Sequence, residues 1–184
     1  ADLKAFASRE WLTKFMDPTH ITNAAFFGGT KFADGKMSRF VRRTVARFNE
    51  ERKASLAKAI IALSAEAALP GQRELDERDA ALITEGRALL DSREMRCTEC
   101  HRFHAPNDEA TAPDLTGYGS RDWLIRFMAD PTHESFYGEN NDRMPAYGQN
   151  DRLSPRELGL LADWLRGDWA GSGESAISQS ATAR

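Results

Sequence analysis

The sequence predicts an all-α chain in which one helical unit is used nearly twice. Three observations carry this: apolar residues recur at helical rather than alternating spacing, capping residues stand where helices should begin, and the chain aligns with itself. The segment Ser8 to His20 returns as Ser120 to His133 with one inserted residue. Phe26-Phe27-Gly28 matches Phe136-Tyr137-Gly138, Lys36-Met37 matches Arg143-Met144, and upstream Asp2-Leu3 matches Asp114-Leu115.

Taken in order, Ser8 is the N-cap of a short helix that closes near Asp17-Pro18, because the residue before Pro is pushed out of helical geometry. A longer helix, about residues 50–69, carries Leu56, Ile60, Leu63 and Ala67 on one face. Pro70-Gly71-Gln72 reads as the linker between copies. A helix over about 79–91, with Leu82, Gly86, Leu89 and Leu90, has no counterpart in the first copy, so the Leu56/Ile60/Leu63 face is expected to lack a helical partner. Ser120 caps the second short helix, which ends near Asp130-Pro131. Ser154-Pro155-Arg156-Glu157 combines a capping box with Pro at the first helical position, Leu158, Leu161, Ala162 and Leu165 follow on one face, and Gly167 suits the stop. The organisation is therefore a partial repeat over 1–70, a second domain over 71–169, and a Gly/Ser/Ala-rich tail over 170–184 expected to be disordered.

A chain of 184 residues and 20.5 kDa, 41% hydrophobic and 29% charged with four Trp and ten Phe, is that of a soluble folded protein of one ordinary domain or two small ones. The longest apolar run, Ala59 to Leu63, falls far short of the ~20 residues that span a bilayer. The first residues show no basic stretch followed by an apolar one, so any secretory signal is expected outside them. Charge is unevenly spread: residues 1–70 hold 12 basic and 7 acidic side chains, and the remainder 13 and 21, every base there being Arg. The run Lys36 to Arg47 could form a nucleic-acid patch, but few aromatics interleave with its charges and the chain is acidic overall, so a solvated helix face is the better reading and no nucleic-acid partner is expected.

The chemistry concentrates in Cys97-Thr98-Glu99-Cys100-His101, which holds both cysteines of the chain. This is the spacing of c-type haem attachment: two thiols on one turn add to the two vinyl groups of haem while the next His ligates the iron. A redox Cys pair would sit beside a strand-helix unit that is missing here, a zinc site from Cys97, Cys100, His101 and His104 would crowd all ligands into eight residues, and a structural disulfide fits least. For the sixth position, Met144 lies before Pro145 in a polar, turn-rich loop with little reason to be core filler. Met128, beside Leu124 and Phe127, reads as core, and Met95 as core or surface. His133 has a repeat partner, His20, in a copy without cysteine, so a shared helix-end role explains both, and His104 stands too close to His101 to reach the opposite side.

Gly86, the Cys97–His101 motif, Ala112-Pro113-Asp114-Leu115, Trp123, Met144-Pro145 and the Leu158–Leu165 helix resemble, in order and spacing, a class I cytochrome c over about residues 75–169. More narrowly, the stretches 114–124 and 140–145 are similar to the cytochrome c modules, some of them tandem, of bacterial cytochrome bc-type quinol-oxidising complexes, and residues 27–37 resemble the first copy of such a tandem. The resemblance implies one covalent haem c, ligated by His101 and Met144, in a class I fold preceded by a partial copy that lacks an attachment motif. It implies that the Pro113 carbonyl accepts a hydrogen bond from His101, that Leu115 packs on the haem, and that Tyr118, Arg121 and Trp123 stand at its propionate edge, Arg121 being equally readable as a helix-surface residue. It also implies that Gly86 permits a close crossing beside Leu161, Trp164 or Leu165. The function implied is electron transfer rather than catalysis, with a Rieske or cytochrome b-type donor and an oxidase or soluble cytochrome acceptor, at the periplasm or the periplasmic face of the inner membrane and compatible with a tether. A haem sensor or peroxidase-like enzyme with a displaceable Met144 is the alternative. If the haem edge opens on the acidic half, a basic partner is expected.

Overall fold

The computed structural model describes residues 3–150 and 152–168, and the expected disordered tail lies outside them. It is helical, with no strand among the described residues. Seven α-helices follow one another: α1 (Arg9–Phe15), α2 (Lys36–Arg43), α3 (Glu50–Glu66), α4 (Arg73–Arg78), α5 (Ala80–Leu90), α6 (Arg121–Ala129) and α7 (Pro155–Arg166). Short 3₁₀ turns stand at Lys31–Asp34, Val45–Arg47, Pro70–Gln72, Cys97–Glu99 and Gly138–Asn140.

The caps act as the sequence predicts. Ser8 Oγ accepts from the Trp11 amide and Ser120 Oγ from the Trp123 amide, at 3.1 and 3.2 Å. Ser154 and Glu157 complete a capping box with Pro155 inside the start of α7, and Gly167 ends that helix at φ +73°. α2 agrees with the helix face read into the Lys36 to Arg47 run, and two elements differ from expectation. α4 forms where no separate helix was drawn, directly after Pro70–Gln72. α3 stops at Glu66, because Ala68 takes φ +46° and closes the helix.

The repeat is visible in detail. Ring pairs in the first copy recur in the second at nearly the same separation: Trp11–Phe15 and Trp123–Phe127 at 5.2 and 5.1 Å, Trp11–Phe26 and Trp123–Phe136 at 5.3 and 5.1 Å, Phe6–Trp11 and Tyr118–Trp123 at 4.8 and 4.9 Å. Both Asp-Pro-Thr-His stretches fold alike, Asp17 Oδ1 receiving the Thr19 amide and Asp130 Oδ1 the Thr132 amide. Even the backbone is copied: Ala5 and Ala7 hold φ of +55° and +62° where Gly117 and Gly119 hold +64° and +76°. At Gly119 a Cβ would stand 2.3 Å from Ala7 Cβ, so glycine is required there by contact as well as by conformation.

One apolar core draws on both copies. Phe6, Trp11, Leu12, Phe26 and Ile60 share it with Trp123, Leu124, Phe127, Phe136 and Leu158. Arg166, its side chain 8% exposed, pins α7 across the repeat by donating to the carbonyls of Ala67, Ala68 and Gly119. The main correction concerns α5. Gly86 does not meet Leu161, Trp164 or Leu165: a Cβ there would come 2.1 Å from the Lys58 carbonyl oxygen and 2.7 Å from Ala62 Cβ, so α5 crosses α3. α5 thus takes the Lys58/Ala62 side of α3, while Leu56, Ile60 and Leu63, expected to lack a partner, pack into the core that both copies share. Ala59 and Ala62 give α3 a flat surface that accepts the close approach, while on α7 Leu160 and Trp164 stay 59% and 61% exposed.

Candidate functional site

The chain leaves α5 at Leu90, and Ser92 Oγ accepts the Met95 amide to begin the turn that carries the motif. Arg96 adopts φ +60°, which reverses the chain into the 3₁₀ turn Cys97–Glu99. The His101 and Cys100 amides both donate to the Cys97 carbonyl, at 3.0 and 3.2 Å, so the two thiols and the imidazole occupy one turn. A second loop is laid against it: the Thr111 and Ala112 amides donate to the Cys100 carbonyl, the Leu115 amide to the Arg102 carbonyl, and Asn107 Nδ2 to the Thr98 carbonyl.

This clamp brings Pro113 to His101. His101 Nδ1 lies 2.7 Å from the Pro113 carbonyl oxygen. A carbonyl can only accept, so Nδ1 carries the proton. Burial lowers the imidazole pKa, outweighing the Pro113 bond and the Asp114 charge that act the other way. The neutral ring therefore presents its lone pair at Nε2, the form in which histidine ligates metal.

Cys97 and Cys100 are free thiols, both half-buried. Burial pushes the Cys97 thiol up to about 11, with the neighbouring Cys100 adding to it. Redox-active pairs need a depressed thiol pKa, so the shift opposes the thioredoxin-type alternative. It also yields a measurable result. In haem-free folded protein, alkylation of Cys97 by iodoacetamide should rise about tenfold per pH unit between pH 8 and 10, tracking the thiolate fraction. In urea it should instead level off near the ordinary thiol value of about 8.5. Peptide mass spectrometry reads both, and fast labelling of the folded protein at pH 8 would contradict the assignment.

Leu115 is buried with Phe103, Leu90, Ala59 and Ala62, and Cys97, Leu63 and Tyr118 pack against this group. Cys97 also touches the cluster of Val45, Phe48 and Met95. Tyr118 reaches the central core as well, 4.9 Å from Trp123, and Met144 packs against that core. Trp123 Nε1 donates to the Asp114 carbonyl at 3.0 Å, next to the Pro113 carbonyl that holds His101. Asn141 Nδ2 donates to the Met144 carbonyl at 2.8 Å. Cys97, Leu115 and Tyr118 are thus brought into one cluster, and Trp123 and Met144 into its neighbour. Arg121 stands apart, its guanidinium paired with Asp163 at 2.6 and 3.1 Å.

No family, curated protein or solved structure matches this chain. The site therefore rests on its own geometry, and several neighbours narrow it. Met128 is 2% exposed within the core, and Met95 1% within its cluster. His20 and His133 are engaged at helix ends, with Thr19 Oγ1 and the Ser135 amide. His104 Nε2 lies 2.9 Å from Glu66 Oε2, so the fourth residue of the zinc reading is engaged with α3.

Glu66 is the residue sequence reasoning missed. Its side chain is 5% exposed, and it takes Arg87 from α5, His104 from the motif loop and the Gly117 amide from the turn before Tyr118. A carboxylate of the copy without cysteines thereby ties together three segments around the motif. A lone acid among alanines at the end of an apolar helix was the available signal.

Proposed function

We propose that this chain is an electron-transfer module carrying one covalent haem c, which Cys97 and Cys100 would attach and whose iron His101 and Met144 would hold. In this reading the fold is a class I cytochrome c fold whose first half is a partial copy without an attachment motif. The observation that carries it is the His101 Nδ1–Pro113 bond within a turn that also holds two free thiols. The donor set suits the group: two thiols for thioether bonds, a neutral imidazole with its tautomer fixed, and a thioether whose backbone is held by Asn141.

Bound haem supplies one iron centre that alternates between ferric and ferrous states. The chain's own residues do the rest. Pro113 orients the His101 ring and raises its basicity as a ligand. Trp123 fixes the adjoining Asp114 carbonyl and so the loop that bears Pro113. Leu115, Phe103 and Tyr118 exclude water from the thioether side, and a dry surround is one of the protein's means of setting a potential. Met144 raises that potential relative to a second histidine, which suits a Rieske or cytochrome b-type donor and an oxidase or soluble cytochrome acceptor. Arg121 serves here as a tie between α6 and α7. The natural setting of this reading is a bacterial cytochrome bc-type complex at the periplasmic face of the inner membrane, with the module itself a carrier and not an enzyme.

The test is protein matured in a host that attaches haem c. Intact mass should show a single covalent haem, and the ferric spectrum the red-end band of a Met–iron bond. A high-spin ferric spectrum would favour the sensor or peroxidase-like alternative. Met144→Ala should keep the haem attached, lose that band and lower the potential. An unchanged spectrum would transfer the ligand role to another methionine, Met128 first.

A further inference from the structure

We propose that the exposed basic face of α2 and the 3₁₀ turn after it is a docking surface for an acidic protein, placed so that the partner sits on the Cys97 side of the site. The inference rests on the haem reading above for its purpose. For its chemistry it rests on charge.

Residues 31–47 hold Lys31, Lys36, Arg39, Arg42, Arg43 and Arg47 against one carboxylate, Asp34, and so carry the whole net positive charge of the first half. All six cations are exposed. Other surface bases stand beside carboxylates, Lys14 with Glu10, Lys53 with Glu50, Lys58 with Glu85, Arg96 with Glu99 and Arg121 with Asp163, and those without an ion pair, such as Arg73, Arg93 and Arg156, are scattered along the chain and not gathered in one segment. Here the one ion pair is Arg42–Asp34 at 3.6 Å, and Arg43 and Arg47 have no acidic partner among the described residues. Lys36, Arg39 and Arg43 recur at helical spacing along α2, and Arg47 follows, exposed, in the 3₁₀ turn after it.

The other side of the same segment faces the site. Val41, Val45 and Phe48 are buried, and Val45 and Phe48 form one cluster with Met95 against which Cys97 packs. A helix is about 10–12 Å thick with its side chains, so a molecule on the basic stripe lies about one helix from the thioether edge.

The surface chemistry selects the class of partner. Apart from Ala46, every exposed residue of 31–47 is charged, and Phe40, Val41 and Val45 are wholly or partly buried, so nothing is available to insert into a bilayer. No exposed aromatic stands among the charges to stack on bases. Four of the six cations are Arg, whose planar fork suits the paired oxygens of carboxylates. Acidic side chains of a partner protein are the fitting occupant.

The experiment uses holoprotein, the wild type and Arg43→Glu/Arg47→Glu. Ferrous protein is oxidised in stopped flow by ferricyanide, an anion, and by tris(phenanthroline)cobalt(III), a cation, over a range of salt; each removes one electron. Ferricyanide oxidation should be fast at low salt and slow as salt rises, with the variant about tenfold slower at low salt and level with wild type at high salt. Poly-L-glutamate should sediment with the wild type and slow its ferricyanide reaction, and do neither with the variant. A wild-type preference for the cationic oxidant, expected if the acidic half covered the haem edge, would overturn the proposal, as would an unaffected variant. Tighter retention by phosphatidylglycerol vesicles or single-stranded DNA than by poly-L-glutamate, or self-association lost in the variant, would assign the face to another occupant. Sedimentation does not depend on haem, so a wild type without covalent haem would refute the site reading and leave the docking result standing.

Discussion

Replacing Cys97 and Cys100 together by alanine is expected to abolish covalent haem completely. The chain has no other thiol, and thioether bonds need one. The substitutions remove sulfur from two half-buried positions and leave untouched the backbone bonds that build the turn, so the helical fold should persist. Acid-acetone extraction of the purified variant, followed by intact mass, reads the result. Haem that survives extraction from the double variant would end the haem c reading outright. Each single variant keeps one thiol, and haem attached through that one thioether should resist extraction, which separates loss of attachment from loss of fold.

Trp11→Ala is expected to destabilise the whole protein as severely as Trp123→Ala, by about 3–5 kcal/mol each, the usual cost of deleting a core tryptophan. Folded domains hold only about 5–15 kcal/mol in total. Trp11 belongs to the half without cysteines, and a decorative appendage could lose it cheaply. Instead its indole contacts Phe6, Phe15 and Phe26, and Phe6 in turn meets Tyr118 at 5.1 Å and Trp123 at 5.9 Å. Urea unfolding followed by helical signal should show one transition in the wild type and one, displaced, in either variant. A Trp11→Ala profile with an early transition separate from an unchanged late one would mean that the halves fold independently.

Much of this was legible in the sequence because it depends on local chemistry. Ser8, Ser120 and Ser154 cap because a hydroxyl satisfies a free amide wherever a helix begins, and the Asp-Pro-Thr-His ends repeat because Asp17 and Asp130 close them in the same way. The grouping of Cys97, Cys100 and His101 follows from five adjacent residues, and Pro113 came from the family resemblance and met His101 as expected. What stayed hidden depends on which surfaces meet. Gly86 announces a close crossing but carries no information on its partner, and α3 wins over α7 because Ala59 and Ala62 present a flat face where α7 has bulky Leu160 and Trp164. Glu66 looks like any surface acid until three segments converge on it. Arg121 could face a ligand or a helix, and its pairing with Asp163 is a contact 42 residues away in sequence. α2 was legible as a helix from its spacing, but not the side it buries, where Ser38 and Val41 are enclosed.

The meeting of Phe6 with Tyr118, and of Ala7 with Gly119, joins residues that are each other's counterparts in the repeat. Such self-matched contacts mark a two-fold axis, as in a symmetric homodimer, here enclosed within one polypeptide. The axis admits a single methyl group. Two copies of the second kind would leave glycine opposite glycine and a void between them. Two of the first kind would force two β-carbons into one place. One of each fits, so the halves have become unlike partners that can no longer replace one another. Residues 3–70 therefore carry a structural duty of their own, because the second copy has no substitute for the surface it leans on.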